Sequence, residues 1–314
     1  MRILITGGTG FVGRWATAAL AAAGHDVYVT SRNFLSMQGC EVIVCDLLRP
    51  EGLDVAFARA RPEVVLHLAW YVEHGKFWDA VENLDWSAAT IRLVSAAEKW
   101  GVRRIVCAGT CMEYDLSEGG ACNEATTAIR PLSLYAVSKD SIRRIVGKFA
   151  ADSGMEFVWA RLFFLFGPNE HPNRLVSSIV ASLLSGRPAK MTSGSQIRDF
   201  SDVRDTGEAL AALALSKVTG AINIASGQPL RIRDFAEEIR VAAGNVGELR
   251  FGALPDRPNE PAAIVADVTR LRDEVGFRPI RTIRERLSET IEWWQGELDL
   301  QLKVHMRATY AVSK

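Results

Sequence analysis

Residues 1–13 read Met1-Arg2-Ile3-Leu4-Ile5-Thr6-Gly7-Gly8-Thr9-Gly10-Phe11-Val12-Gly13. The apolar run Arg2 to Thr6 has the character of a buried strand, and it passes directly into a glycine turn. The turn leads into Trp15 to Ala23, rich in Ala and Leu, which reads as a helix. Strand, glycine turn and helix in that order make a phosphate cradle. Gly7, Gly10 and Gly13 permit a tight turn, close approach of backbone to a pyrophosphate, and close packing of helix on strand. Phe11 and Val12 bring the chain to a helix N-terminus, whose unpaired N–H groups suit phosphate. A dinucleotide is the expected ligand.

Further apolar, β-branched runs follow at Asp26 to Ser31, Glu41 to Asp46, Val64 to Ala69, Arg104 to Thr110 and Glu156 to Leu162. Runs that are apolar throughout, rather than alternating, predict parallel strands covered on both faces. Helical patterns at Ala88 to Trp100 and Tyr135 to Asp152 supply crossovers, so the predicted fold class is α/β, a doubly wound parallel sheet of Rossmann type. Residues 1–166 form its dinucleotide-binding domain. After Gly167-Pro168 the polar, breaker-rich run Asn169 to Arg174 starts a smaller, interleaved C-terminal substrate domain, expected at 167–202 and 227–300. Between these, residues 203–226 return to the sheet through a helix at Val203 to Leu215 and a strand at Ala221 to Ala225, and the chain leaves it again at Arg231 to Ala243. Residues Gln301 to Lys314 lack clear periodicity and are expected to form a frayed tail.

Composition limits the partners. Of 314 residues, 48% are hydrophobic, enough for a large core, which excludes a disordered or fibrous protein. Lys plus Arg and Asp plus Glu both total 37, so no net charge draws the chain to nucleic acid or to an anionic membrane. The five cysteines, at 40, 45, 107, 111 and 122, include no Cys-x-x-Cys pair, which argues against zinc or another bound metal. With no signal peptide and no apolar run of about 18 residues, the expected location is a reducing cytosol, without disulfides.

Chemistry enters with Tyr135-Ala136-Val137-Ser138-Lys139, where i to i+4 spacing puts Tyr135 and Lys139 on one helix face. A free phenol titrates near pH ~10, and a neighbouring ammonium brings it toward the working range of an acid or base. Thr110 stands at the carboxyl end of the fifth strand, where open α/β sheets bind ligands, and can orient a substrate oxygen. The second strand ends at Ser31-Arg32-Asn33, with no carboxylate for the ribose hydroxyls of NAD. Arg32 either clamps a 2′-phosphate, which favours NADP(H) over NAD(H), or is a solvated loop arginine. Asp46-Leu47 either meets the adenine or caps the next turn.

Taken together, the glycine turn, Asp46-Leu47, Val64-Val65-Leu66-His67-Leu68-Ala69, Asn83, Thr110 and Tyr135 to Lys139 resemble the extended short-chain dehydrogenase/reductases. Arg161-Leu162-Phe163, Phe166-Gly167-Pro168, Arg198-Asp199-Phe200, Val203-Arg204-Asp205, Asn223 to Gly227 and Arg257-Pro258-Asn259-Glu260-Pro261 resemble the branch acting on nucleotide sugars. The resemblance implies that Leu68, Ala69 and Asn83 border the cofactor and that Arg198 and Arg257 hold the substrate diphosphate. Two loop arginines can neutralise a diphosphate in an otherwise neutral chain, or form rim salt bridges. His67, inside an apolar run, reads as a packed strand residue.

Departures from the family pattern narrow the reaction. Family dehydratases place Asp-Glu directly after the catalytic Thr, whereas this chain has Cys111-Met112, which argues against dehydration and makes these two residues the pocket wall. Phe164 stands where the family has an Asn that helps hold the substrate phosphate. Gly109 to Tyr114 is similar to a serine-containing version in reductases of nucleotide-linked 4-keto-6-deoxyhexoses, and with Arg32 this favours reduction of a C4 ketone. A 4-epimerase with retained NAD would use the same residues, and a non-catalytic cofactor-binding protein is the alternative of another class. Glu113 faces either the pocket or the next loop. The helices Ala88 to Trp100 and Tyr135 to Asp152 resemble those that pair in family dimers, implying a homodimer; otherwise their apolar stripes face only the sheet. Trp70, Tyr71, Trp78 and Trp86 line the sugar pocket or pack a loop.

Overall fold

Parallel strands that are apolar on both sides are stable only between two layers of helices, and the chain builds that arrangement. The computed structural model describes residues 1–117 and 119–312. Strands β1 (Arg2–Thr6), β2 (Asp26–Ser31), β3 (Glu41–Val44), β4 (Val64–His67) and β5 (Arg104–Thr110) are interleaved with helices α1 (Gly13–Ala22), α2 (Leu53–Ala60) and α3 (Glu82–Lys99). The short strand β6 (Ala121–Cys122) precedes α4 (Leu134–Ser153), β7 (Glu156–Leu162), β8 (Phe164–Phe166), α5 (Leu175–Leu184), β9 (Ala189–Lys190) and β10 (Ile197–Asp202). Then come α6 (Val203–Leu215), β11 (Gly220–Ile224), β12 (Pro229–Arg231), α7 (Ile232–Ala242), β13 (Leu249–Arg250), β14 (Ala263–Ala266) and α8 (Ile283–Val312).

Seven strands form the large sheet in the order β11-β7-β5-β4-β1-β2-β3, every neighbouring pair parallel. Strand order reverses between β1 and β4, so their carboxyl ends open a crevice, the usual ligand position of a doubly wound sheet. One face is sealed by Phe57, Leu93, Ile142 and Val146 from α2, α3 and α4, and the other by Leu20, Leu210 and Leu213 from α1 and α6. Each such side chain, removed from water, contributes about 1.5–3 kcal/mol to folding.

The second lobe has its own small sheet, β12-β10-β14-β6, with β8 also paired to β10. Its core is Phe166, Val180, Phe200, Phe235 and Leu287, packed under α5, α7 and α8. The lobes are more tangled than the sequence implies. The chain leaves the large sheet after Leu162, because Phe164 to Phe166 already pair with β10, and β6 crosses from the N-terminal half into the small sheet. The expected return to the large sheet is made by α6 and β11.

Local chemistry shifts several predicted boundaries. The third strand stops at Val44 because the Asp46 carboxylate accepts the Leu48 N–H at 3.1 Å and turns the chain. Helix α3 starts at Glu82, ahead of the Ala88 read from apolar periodicity, with Glu82 and Asp85 in the first turn, where acidic groups favour a helix N-terminus. Residues 301–312, expected as a frayed tail, continue the backbone of α8, and 313–314 lie outside the described residues. Among the described residues no helix is long and apolar enough to cross a membrane.

Candidate active site

The glycine turn takes the shape that a dinucleotide phosphate needs. Gly7 has φ +72°, and a Cβ there would lie 2.7 Å from the backbone nitrogen of Ala69. Gly13 opens α1 so close to the strand that a Cβ would sit 2.1 Å from the Gly7 carbonyl oxygen. Gly10 N–H donates to that same oxygen at 3.0 Å. No side chain caps α1, whose Arg14 and Trp15 N–H groups donate to the Gly10 and Val12 carbonyls at 3.2 and 3.1 Å, and Phe11 and Val12 just ahead of it are only half-buried, so an anion can approach the uncapped helix start. Leu68 and Ala69 form the opposite wall, and Ala69 N–H donates to Thr6 Oγ1 at 3.4 Å. A cradle that any side chain would fill, facing an uncapped helix start, fits a dinucleotide diphosphate.

His67 closes the floor. Its Nε2 lies 2.9 Å from Thr90 Oγ1, whose own proton goes to the Trp86 carbonyl, so the ring donates there and accepts from Thr6 Oγ1 at 2.6 Å through Nδ1. Burial holds the imidazole neutral, with its pKa pushed down to about 3. His67 is a structural tie between β1, β4 and α3.

At the end of β5, Thr110 caps the 3₁₀ turn Cys111–Glu113, accepting from the Met112 N–H at 3.3 Å while its own N–H donates to Glu113 Oε1 at 2.9 Å. That capping box fixes the Thr110 hydroxyl at the end of β5, near enough to Tyr135 to favour its ionised form. Tyr135 sits in the first turn of α4, whose N-terminus is fixed by Ser133 Oγ accepting from Ala136 N–H at 3.2 Å and by the Trp78 carbonyl accepting from Tyr135 N–H at 2.8 Å. Desolvation pushes the phenol above its ordinary range, opposed by the neighbouring Thr110 hydroxyl. Tyr135 is therefore a protonated acid at neutral pH. One turn on, Lys139 is 4% exposed and donates to the Ala108 carbonyl at 2.8 Å. Burial drives its pKa down to about 7, opposed chiefly by Glu113.

Glu113 faces neither the pocket nor a solvent loop. Fully buried, it accepts from Trp159 Nε1 at 2.9 Å and from Arg161 Nε at 2.8 Å. Arg161 continues to Tyr114 at 2.9 Å, and Tyr114 donates to Asn223 Oδ1 at 2.8 Å, so the network pins the catalytic turn to β7 and β11. Cys111, 3% exposed, has its thiol pushed far up by burial and packs with Tyr114, Cys122 and Phe163, while Met112 lies half-buried beside them.

Other residues singled out in the sequence do different work. Asn83 has its side chain engaged within its own loop: its amide donates to the Phe77 and Ala80 carbonyls at 2.7 and 2.9 Å and its oxygen accepts from Trp70 Nε1 at 2.9 Å. Asp46 caps its turn, and Leu47 is buried in the core. Arg198, 2% exposed, gives its donors to Glu260 at 2.8 Å and to the Ile197 and Pro261 carbonyls, with the Phe164 ring 5.5 Å away. Its guanidinium organises the loop of Glu260. Arg257 is exposed and has no ion pair among the described residues, which leaves its charge open to an anion. Arg32, at the rim beyond β2, is likewise exposed and unpaired among the described residues.

Sequence reading missed what surrounds the phenol. Phe77 lies edge-on to Tyr135 at 4.9 Å, Trp78 at 6.0 Å, and Lys139 Nζ lies 3.8 Å from the Trp70 ring centre. Arg174, at the start of α5, is near enough to lower both the Tyr135 phenol and the buried Glu170 carboxyl, which desolvation raises to about 8. His74 and His171 stack at 5.1 Å across the two lobes. The aromatic cluster was visible in the sequence, but its partner on α4 was not.

Residues 3–225 match the NAD dependent epimerase/dehydratase family, and the chain belongs to it. It is thus an NAD(P)-dependent enzyme of the extended short-chain dehydrogenase/reductase type, within a family of sugar-nucleotide epimerases, dehydratases and decarboxylases. Over 319 aligned residues it is 28% identical to UDP-glucuronic acid decarboxylase 1 of Xenopus tropicalis, covering 96% of this chain and 73% of that one. It is 24% identical to dTDP-6-deoxy-L-talose 4-dehydrogenase (NAD(+)) of Aggregatibacter actinomycetemcomitans, covering 84% of this chain and 98% of that one. The Thermus thermophilus UDP-glucose 4-epimerase, solved with NAD, superposes with a TM-score of 0.83 at 26% identity, covering 94% of this chain and 99% of that one.

Proposed function

We propose that this enzyme reduces the C4 ketone of a nucleotide-activated 4-keto-6-deoxyhexose. One observation carries the reading: the end of β5 offers a single proton-transfer group. Glu113 is consumed by Arg161, Trp159 and Thr110 N–H, and Cys111 is a buried, protonated thiol. Removal of water needs a second acid and base at the sugar, whereas ketone reduction needs one proton beside the hydride. Bound nicotinamide supplies the hydride. Tyr135 protonates the forming alkoxide, Thr110 orients the same oxygen through its hydroxyl, and the Lys139 ammonium stabilises the phenolate left behind. Likeness to a dehydrogenase acting at position 4 of a 6-deoxy sugar supports hydride transfer at that carbon.

The second reading is a 4-epimerase, favoured by the likeness to the NAD-bound UDP-glucose 4-epimerase. Mixing the purified enzyme with NADPH and a 4-keto-6-deoxy nucleotide sugar separates the two. Loss of nicotinamide absorbance matching the sugar alcohol formed supports reduction; interconversion of C4 epimers with tightly held NAD and no net redox change overturns it.

A preference for NADP(H) rests on Arg32 alone, since the solved relative holds NAD. A guanidinium bonded to a 2′-phosphate is worth about 1.5–3 kcal/mol. Arg32→Asp should accordingly raise KM for NADPH roughly 10- to 100-fold and lower KM for NADH. Equal KM values for both cofactors in the unaltered enzyme would count against the assignment.

For the assembly, a second copy of the chain is the partner we propose. On α3, Leu84 and Ile91 are 54% and 42% exposed, and on α4, Val137, Ile145 and Phe149 are 43%, 49% and 37% exposed, each set at spacings that share a helix face. Analytical ultracentrifugation should give a dimer, and Ile145→Glu should shift it toward monomer.

A further inference from the structure

The Lys139 ammonium has an unusual seat. It is enclosed by β4, β5, the 3₁₀ turn after β5, and its own helix α4, and its Nζ stands 3.8 Å from the centre of the Trp70 ring. Trp70 follows Ala69 on the loop beyond β4, and its indole N–H is anchored on Asn83 Oδ1 at 2.9 Å. Asn83 in turn clasps the Phe77 and Ala80 carbonyls. The same loop places Phe77 and Trp78 against the Tyr135 ring, and its Asp79 carboxylate accepts the Leu134 N–H at 3.1 Å. One loop therefore holds both members of the proton-handling pair.

We propose that Trp70 is a positioning residue: its indole face holds the Lys139 ammonium in the charged form beside Tyr135, and Asn83 locks the ring in that pose. A cation is drawn to the negative face of an indole, most strongly where both are shielded from water, as Lys139 is at 4% exposure. The groups facing this ammonium are few. Glu113 favours the charge but is paired with Arg161; Cys107 is protonated, with its thiol pushed up to about 12 by burial; His67 is neutral; the Tyr135 ring centre is 6.0 Å away; and the Ala108 carbonyl accepts one proton. Burial, even with Glu113 opposing it, brings the Lys139 pKa down to about 7, close to half-deprotonated at neutral pH. Trp70 supplies the remaining stabilisation, so the phenol keeps a positive neighbour while it gives up and regains its proton.

The inference rests on reading Tyr135 and Lys139 as the proton-handling pair, and it is tested without turnover. The purified full-length chain carrying 13C at lysine Cε is titrated by NMR, with the Lys139 signal assigned through Lys139→Met. Trp70→Leu should lower the Lys139 midpoint by about one pH unit, and Trp70→Phe, which keeps a ring face but loses the anchor to Asn83, should fall between. An unchanged midpoint in a folded Trp70→Leu chain overturns the proposal. Equal midpoints in Trp70→Leu and Trp70→Phe overturn it too, because lost packing rather than a lost ring face would then set the charge. Should Trp70→Leu fail to fold, 5-fluorotryptophan incorporation weakens the ring's negative face without altering its shape; a lowered midpoint supports the proposal and an unmoved one overturns it. Failure of the sugar assay with a shifted midpoint would remove the proposed reaction and leave the Trp70 assignment standing.

Discussion

Tyr135→Phe is expected to lower kcat by roughly 10²- to 10⁴-fold, the usual worth of a positioned acid or base, with cofactor affinity unchanged. The variant removes one oxygen. The ring keeps its edge contacts with Phe77 and Trp78, and Lys139 keeps Ala108 and Trp70, so the cleft holds its shape. Thr110 keeps its bond from the Met112 N–H. Nicotinamide binding by fluorescence titration and single-turnover hydride transfer should be measured together. Turnover within tenfold of the parent, with normal cofactor binding, would remove Tyr135 from the proton path.

Glu113→Ala should destabilise the fold by about 3–5 kcal/mol, because it strands the Arg161 charge in the interior without its counterion. Arg161 is 1% exposed, and its remaining partner is the neutral Tyr114 hydroxyl. The Thr110 N–H and the Trp159 indole N–H lose their acceptor in the same step. Urea unfolding measures the loss, and an unfolding free energy within about 1 kcal/mol of the parent would contradict the network described for β5, β7 and the 3₁₀ turn. Glu113→Gln should cost less, since its amide oxygen still accepts one of these bonds. Both variants should also slow turnover, because the carboxylate holds Thr110 in position through the capping box.

The sequence carried the large sheet clearly, for a physical reason: strands buried on both faces must be apolar at nearly every position, so Arg104 to Thr110 and Glu156 to Leu162 stood out with correct limits. Tyr135 and Lys139 were legible because one helix turn fixes their relation locally, and Thr110 because it ends a strand. Polar residues in tertiary contacts were harder. Asn83 and Arg198 carry the chemistry of ligand-binding groups, yet both satisfy carbonyls and carboxylates of their own loops, and residue type alone does not reveal the recipient of a hydrogen bond. Glu113 was ambiguous until Arg161 came into view from a distant strand, and Trp70 gained meaning only when the fold set it against Lys139.

The small sheet draws its strands from widely separated stretches of chain: β6 at 121–122, β8 at 164–166, β10 at 197–202 and β14 at 263–266. No single cut through the polypeptide separates the lobe of the small sheet from that of the large one. A gene fragment ending before residue 263 would leave β10 without its β14 neighbour and Asp199 without the Ala266 N–H. Recombination therefore cannot graft a new specificity module onto this scaffold as a cassette. Divergence toward other sugars has to proceed by point replacement and by changes of loop length within a molecule that folds as one piece.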